Sequence, residues 1–178
     1  MAANLSAVMD DTDKVQVIFD DARTQGLDVL PPDINASGYR FVPLDARRIR
    51  YGLGAVKGTG EQAIANLVAA REAGGAFRDL GDFCRRVDRR VVNRRAMEAL
   101  VKAGAFDALE PNRASLLASL GAALELAEKG EQYKQQSSLF GGAEEATAEA
   151  FELQRTPPWP ERERLLAEKQ SLGFYLSG

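Results

Sequence analysis

The sequence predicts a mainly α-helical chain with a short strand-bearing stretch near its start. Three observations lead there. From residue 55 to residue 130, apolar side chains recur at three- and four-residue spacing. Asp11 or Thr12, Asn93 and Asn112 stand immediately before such runs, where a side-chain oxygen can accept an orphan helix amide. Gly26, Gly74, Gly75, Gly104 and Gly130 stand where the runs stop.

In order along the chain, the first helix runs from Asp11 or Thr12 to about Gln25. Val15, Ile18, Phe19 and Ala22 share one face of it. Leu30 to Asn35 contains Pro31 and Pro32 and is excluded from helix. Tyr39–Val42 and Ile49–Leu53 read as two short strands joined by a polar turn at Asp45–Arg48. Ile64, Leu67, Val68 and Arg71 belong to a helix from about Gly60 to Ala73. A shorter helix around Asp79–Val87 carries Leu80, Phe83 and Val87, and Cys84 falls within it as a core thiol. Met97, Leu100 and Val101 follow the Asn93 cap and stop at Gly104. Leu116, Leu117, Leu120 and Leu124 form the stripe of a longer helix, from Asn112 to near Gly130. Gln132–Ala150 is rich in Gln, Ser, Gly, Ala and Glu and reads as a disordered linker. Pro157, Pro158 and Pro160 around Trp159 break any helix, and Glu161–Gln170 forms a last one.

Composition narrows the chemistry. The chain has 178 residues and is 45% hydrophobic, enough for a packed core. It has no histidine and a single cysteine, which excludes His-dependent nucleophile triads, makes a zinc site implausible and rules out an internal disulfide. No stretch has the roughly 20 apolar residues of a membrane span, and the start carries no signal-peptide pattern. The net charge of −3 is unevenly spread. Residues 1–33 hold seven acidic and two basic side chains. Residues 85–102 hold Arg85, Arg86, Arg89, Arg90, Arg94, Arg95 and Lys102 against only Asp88 and Glu98. This basic segment reads either as a nucleic-acid face or as a solvated helical surface. Arg89, Arg90, Arg94 and Arg95 accordingly contact phosphate, or pair with Asp88 and Glu98 at helical spacing.

The sharpest local signal is Val56-Lys57-Gly58-Thr59-Gly60, opening the helix that starts with Glu61. Two glycines one residue apart allow a tight turn and close approach of backbone to another surface. Thr59 and Gln62 fit a capping box. Amides at a helix start bind an anion, and Lys57 adds charge. This is the logic of a helix-hairpin-helix, which grips DNA phosphate without reading bases. A second, weaker copy spans Leu100–Leu117, with one glycine, Gly104, at its turn. The plainer reading of both is an ordinary helix-turn-helix corner. Gln136, Ser137, Ser138, Leu139 and Phe140 form an isolated apolar-tipped pentapeptide in the polar stretch, suited to docking a partner or to folding back on the preceding helix.

Read in order, these segments resemble the C-family replicative DNA polymerases of bacteria, through their alpha subunit. The likeness is carried by Met1–Ser6, Val29–Asn35, Tyr51–Gly60, Asn93–Arg95, Leu100–Asp107 and Leu172–Gly178. The resemblance implies that residues 1–50 end a fingers region and that 51–130 form a tandem helix-hairpin-helix module for duplex primer-template DNA. It also implies that 131–155 are a flexible linker with a clamp-binding motif, and that 156–178 start a following domain. Lys57, Gly58, Thr59, Gly60, Gly104, Arg94 and Arg95 are then the DNA-binding residues. Gln136, Ser137, Ser138, Leu139 and Phe140 dock the sliding clamp (the beta subunit). The family's catalytic aspartates and metal-binding domain lie outside these residues, so no catalytic, metal or cofactor site is expected here. The remaining polymerase domains are expected partners, a membrane is not, and the expected location is the bacterial cytoplasm. Trp159 is expected to anchor a neighbouring domain. The alternative is a protein-interaction module that does not bind DNA.

Overall fold

The computed structural model describes residues 1–141 and 150–178. A six-residue helix, α1 (Ala2–Ala7), comes first and buries Ala2 and Leu5. It is too short for periodicity to betray it. Asp11 then caps α2 (Thr12–Thr24) by accepting the Lys14 amide at 3.2 Å. Val15, Phe19 and Ala22 are buried, as their spacing predicts, while Ile18 is half-buried.

The two expected strands flank the Asp45–Arg48 turn, shorter than expected, and a third strand joins them. Three short strands order as β1 (Asp28–Leu30), β3 (Arg48–Arg50) and β2 (Val42–Pro43). β2 and β3 are antiparallel, with Val42 opposite Arg50, but β1 joins β3 in parallel, with Val29 opposite Ile49. The stretch before Pro31 is thus a strand, compatible with a proline that follows rather than interrupts the ladder. Tyr39–Phe41 lies outside the pairing. A single 3₁₀ turn, Leu53–Ala55, leads from the sheet into the helices.

The helical body is α3 (Glu61–Gly74), α4 (Leu80–Arg86), α5 (Arg94–Lys102) and α6 (Arg113–Phe140). Side-chain caps fix three of its starts: Asp79 accepts Asp82 N–H at 2.7 Å, Asn93 accepts Ala96 N–H at 2.9 Å, and Asn112 accepts Ser115 N–H at 3.1 Å. Phe77, Phe83 and Phe106 pack edge-on at 4.9 and 5.0 Å between these helices. Cys84 is fully buried against Met97, as its helical position predicts.

Two expectations past Gly130 are corrected. α6 does not stop there but continues to Phe140. A glycine inside a helix costs only about 1 kcal/mol, and Glu128, Lys129, Glu131, Gln132, Lys134 and Gln135 around it are strong helix formers. Residues 151–156 then lie against the helical body instead of hanging free. Gln154 donates its amide to Ser119 Oγ at 2.7 Å, and Thr156 donates to Ser115 Oγ at 3.0 Å. Between these two parts, positions 142–149 of the expected linker lie outside the described residues. α7 (Glu161–Leu172) and the residues after it pack into the same core as the N-terminal sheet, through Leu172 and Phe174.

Candidate nucleic-acid interface

The first hairpin is built by two helix ends and a turn between them. Val56 is buried and anchors the turn, and the Lys57 amide donates to Ser171 O at 2.8 Å. Gly58 and Gly60 adopt φ of +86° and +78°, a region that favours glycine. Thr59, between them, points inward rather than capping the helix. Its hydroxyl donates to Val56 O at 2.8 Å, and the cap residue of α3 is Gly60, with no side-chain bond. The expected Thr59–Gln62 capping box is therefore replaced by an internal latch. A hydroxyl facing inward leaves the outer side of the turn to the backbone.

Among the described residues, no acceptor in the chain takes the amides of Gly58, Thr59, Gly60, Glu61, Gln62 or Ala63. The first intrachain acceptor of the helix is Gly60 O, which takes the Ile64 amide at 3.3 Å. These unpaired donors coincide with the positive end of a 14-residue helix. An open hollow of about 400 Å³ lies beside them, lined by Thr59, Gly60, Glu61, Gln62, Ala63, Arg90 and Val91. No side chain closes over Gly60, where a Cβ would meet nothing within 4 Å.

The predicted cations divide sharply. Arg95 is exposed and its Nε lies 3.8 Å from where a Cβ on Gly58 would stand. It has no carboxylate partner among the described residues. Arg94, by contrast, pairs with Glu98 at 3.0 Å. Arg90 pairs with Asp88 at 3.1 Å, holding the Asp88 carboxyl below its ordinary range. Arg89 pairs with Glu131 on α6 and donates to Cys84 O. Lys57 is exposed, and its Nζ is turned towards Gly173 at the end of α7. The fold brings Arg95 beside Gly58 and Arg90 to the hollow beside Gly60. Sequence spacing could not distinguish these arginines from one another, because partner choice is settled by three-dimensional neighbours.

The second hairpin is not a copy of the first. Gly104 is buried with φ +87°. Its amide donates to Val101 O, that of Ala105 to Leu100 O, and that of Asp107 to Gly104 O. The Arg113 guanidinium lies over the glycine and binds Asp107 at 2.7 and 2.9 Å and Lys102 O at 3.1 Å. The Gly104, Ala105 and Asp107 amides thus bond within the chain and Arg113 covers the glycine, an arrangement unlike the open first hairpin. Arg113, only 5% exposed, had no distinguishing signal in the sequence.

The pentapeptide forms the last turn of α6. Leu139 and Phe140 are 81% and 86% exposed, so they do not fold back on the body. Gln136 and Ser138 are also exposed, and Ser137 is half-buried. Among the described residues there is no cluster of three or more His, Cys, Asp or Glu side chains suited to a metal ion. Burial pushes the Cys84 thiol up to about 12, which makes it a poor nucleophile. No described helix is long and apolar enough to cross a membrane.

Residues 26–116 match the family model described as helix-hairpin-helix motif. The whole chain is 48% identical over 178 residues to the DNA polymerase III subunit alpha of Neisseria meningitidis serogroup B (strain ATCC BAA-335 / MC58). It is 44% identical over 181 residues to the proteins of that name from Vibrio cholerae serotype O1 (strain ATCC 39315 / El Tor Inaba N16961) and Escherichia coli (strain K12). In each case the match covers all of this chain and 16% of the relative's length.

Proposed function

Since the chain belongs to the helix-hairpin-helix family and aligns end to end with one segment of DNA polymerase III alpha subunits, we propose that it holds duplex DNA through backbone phosphate and performs no chemistry itself. The observation that carries this reading is the run of amides from Gly58 to Ala63 that find no acceptor among the described residues, with Arg95 beside Gly58. A phosphate oxygen seated there accepts several N–H groups at a helix start while the guanidinium neutralises its charge. None of these contacts touches a base edge, so the grip is independent of sequence. In the complete polymerase, which extends primers by nucleotidyl transfer, this segment would steady the primer-template duplex beside the catalytic domains.

Docking of a sliding clamp is the second part of the proposal. Support comes from the exposure of Leu139 and Phe140 at the end of α6, in the pentapeptide Gln136–Phe140. The tether would keep the polymerase on its template. As replication proteins of the bacterial cytoplasm, the clamp and the other polymerase domains are its natural partners.

Fluorescence anisotropy with labelled duplex and single-stranded DNA across salt concentrations tests the first part. The expected result is duplex binding that falls steeply with salt, ignores sequence and is lost in Gly60→Val. Retained affinity in a folded Gly60→Val protein would refute the phosphate grip.

A further inference from the structure

Helix α7 and the turn that follows it meet the first hairpin at its base. Three independent contacts fix them there. Ser171 O accepts the Lys57 amide, the one amide of residues 57–60 that has an acceptor among the described residues. Gly173 ends α7 with φ +90° and presses so closely on α2 that a Cβ would overlap Thr12 Cγ2. Phe174, 3% exposed, inserts between Phe19 at 4.9 Å and Tyr51 at 6.4 Å.

The same buried side of α7 also reaches the second hairpin. Glu168 is 1% exposed. Its carboxylate accepts the Leu176 and Ser177 amides, each at 3.0 Å, and lies 3.9 Å from the Arg113 guanidinium that covers Gly104. α7 therefore touches both glycine turns, one through Ser171 and the other through Glu168 and Arg113. A buried, fully hydrogen-bonded carboxylate is stiff, because displacing it would strand charge in the core.

We propose that α7 with residues 173–177 is a brace that positions the Gly58–Gly60 turn for phosphate, with Ser171, Gly173, Phe174 and Glu168 as its positioning residues. This rests on the reading of the first hairpin as the DNA contact. The brace touches no DNA. It restricts the turn to the conformation in which its outer amides converge, and so removes a conformational penalty from binding. The sequence places these residues more than a hundred positions from the hairpin, and nothing in Leu172–Gly178 alone announces the role.

The test uses the full chain and the variants Phe174→Ala and Gly173→Ala, with circular dichroism and thermal melting to confirm folding. Two readouts are taken: duplex affinity by anisotropy, and backbone amide exchange and order parameters of Lys57, Gly58 and Gly60 by NMR. The expected result is loss of Lys57 amide protection, greater mobility at Gly58 and Gly60, and a duplex Kd raised about ten-fold if the competent turn falls to roughly a tenth of the population. A folded variant with unchanged Lys57 protection and turn mobility overturns the brace. Altered turn dynamics with unchanged duplex affinity also overturns it. Should the parent chain fail to bind duplex, the phosphate reading fails, while the NMR readout still decides whether α7 orders the turn. Should Phe174→Ala unfold, Gly173→Ala and Glu168→Gln carry the same comparison.

Discussion

Exchanging Gly58 or Gly104 for alanine separates a glycine that serves binding from one that serves folding. At Gly58 the added methyl meets only Arg95 Nε, at 3.8 Å, an ordinary contact. The stability cost is then the left-handed φ alone, about 1–2 kcal/mol, partly offset by a stiffer unfolded chain worth roughly 0.4–1 kcal/mol. For a chain of 178 residues, a net loss of about 1 kcal/mol lowers Tm by roughly 2–4 °C. The methyl also points into the space between the turn and Arg95, where a phosphate oxygen would sit. Losing one charge-assisted hydrogen bond of about 1.5–3 kcal/mol weakens duplex binding at least ten-fold. At Gly104 the methyl would overlap the Arg113 guanidinium and come within 3.0 Å of Asp107 Oδ2. Displacing the buried Arg113 guanidinium from the partly exposed Asp107 carboxylate forfeits charge-assisted hydrogen bonds worth about 1.5–3 kcal/mol, which with the same φ cost lowers Tm by on the order of 10 °C, with duplex affinity unchanged at temperatures where the protein is folded. Calorimetric melting and anisotropy measure the two effects separately. The reasoning is refuted if both variants lose affinity in proportion to their loss of Tm, because hairpin one would then be no more a contact than hairpin two.

Arg95→Ala is expected to flatten the plot of log affinity against log salt by about one unit of slope, whereas Arg94→Ala, whose parent pairs with Glu98, leaves the slope unchanged. Leu139→Ala with Phe140→Ala should abolish clamp binding in titration calorimetry while Tm stays within about 0.5 kcal/mol equivalent of the parent; unaltered clamp affinity would sink the docking motif. Burial raises the Asp82 carboxyl, but the Arg78 amide and the Arg86 guanidinium outweigh it and hold it below 3.8. A depressed folded pKa contributes stability that is present above 3.8 and lost as pH falls through the folded value. Asp82→Asn should therefore destabilise at neutral pH, and its gap from the parent should narrow in urea melts below about pH 4. Cys84 should resist thiol reagents at pH 8 until the protein is unfolded; rapid labelling of the native chain would contradict its burial.

Capped and periodic elements were legible in the sequence. Asp11, Asn93 and Asn112 cap the helices they were expected to cap, and the Phe19, Leu67, Met97 and Leu120 faces are buried. Local chemistry decides such features, and local chemistry is what a sequence displays. What failed depended on distant partners or on near-balanced choices. β1 exists because Ile49 pairs with Val29 across about twenty residues. Thr59 could cap or latch, and the nearby Val56 carbonyl won. Gly130 could stop a helix or ride through it, and the polar helix formers beyond it tipped the balance. At the site, the two glycines and the helix start were visible, but the sorting of four neighbouring arginines was not. Arg89 finds Glu131, which lies 42 positions away.

A net charge of −3 does not by itself oppose DNA binding, because binding responds to local field rather than to the total. At physiological salt the Debye length is about 8 Å, so the acidic face of α2 acts weakly on a phosphate unless it lies within that range of the hairpin. What a phosphate meets at Gly58–Ala63 is oriented N–H dipoles, the Arg95 guanidinium and the exposed Glu61 carboxylate. Glu61 opposes the grip and marks its limit. Removing it with Glu61→Gln should tighten duplex binding and cost only the carboxylate's favourable interaction with the positive end of α3, about 0.3–1 kcal/mol. Under the proposed function, a segment that lets DNA slide would gain from such restraint. Tight phosphate contacts would oppose that movement, whereas a few amides balanced against one carboxylate would hold the duplex and still release it. The observable consequence is a faster dissociation rate in the parent than in Glu61→Gln, with association rates alike; equal dissociation rates would remove Glu61 from the account.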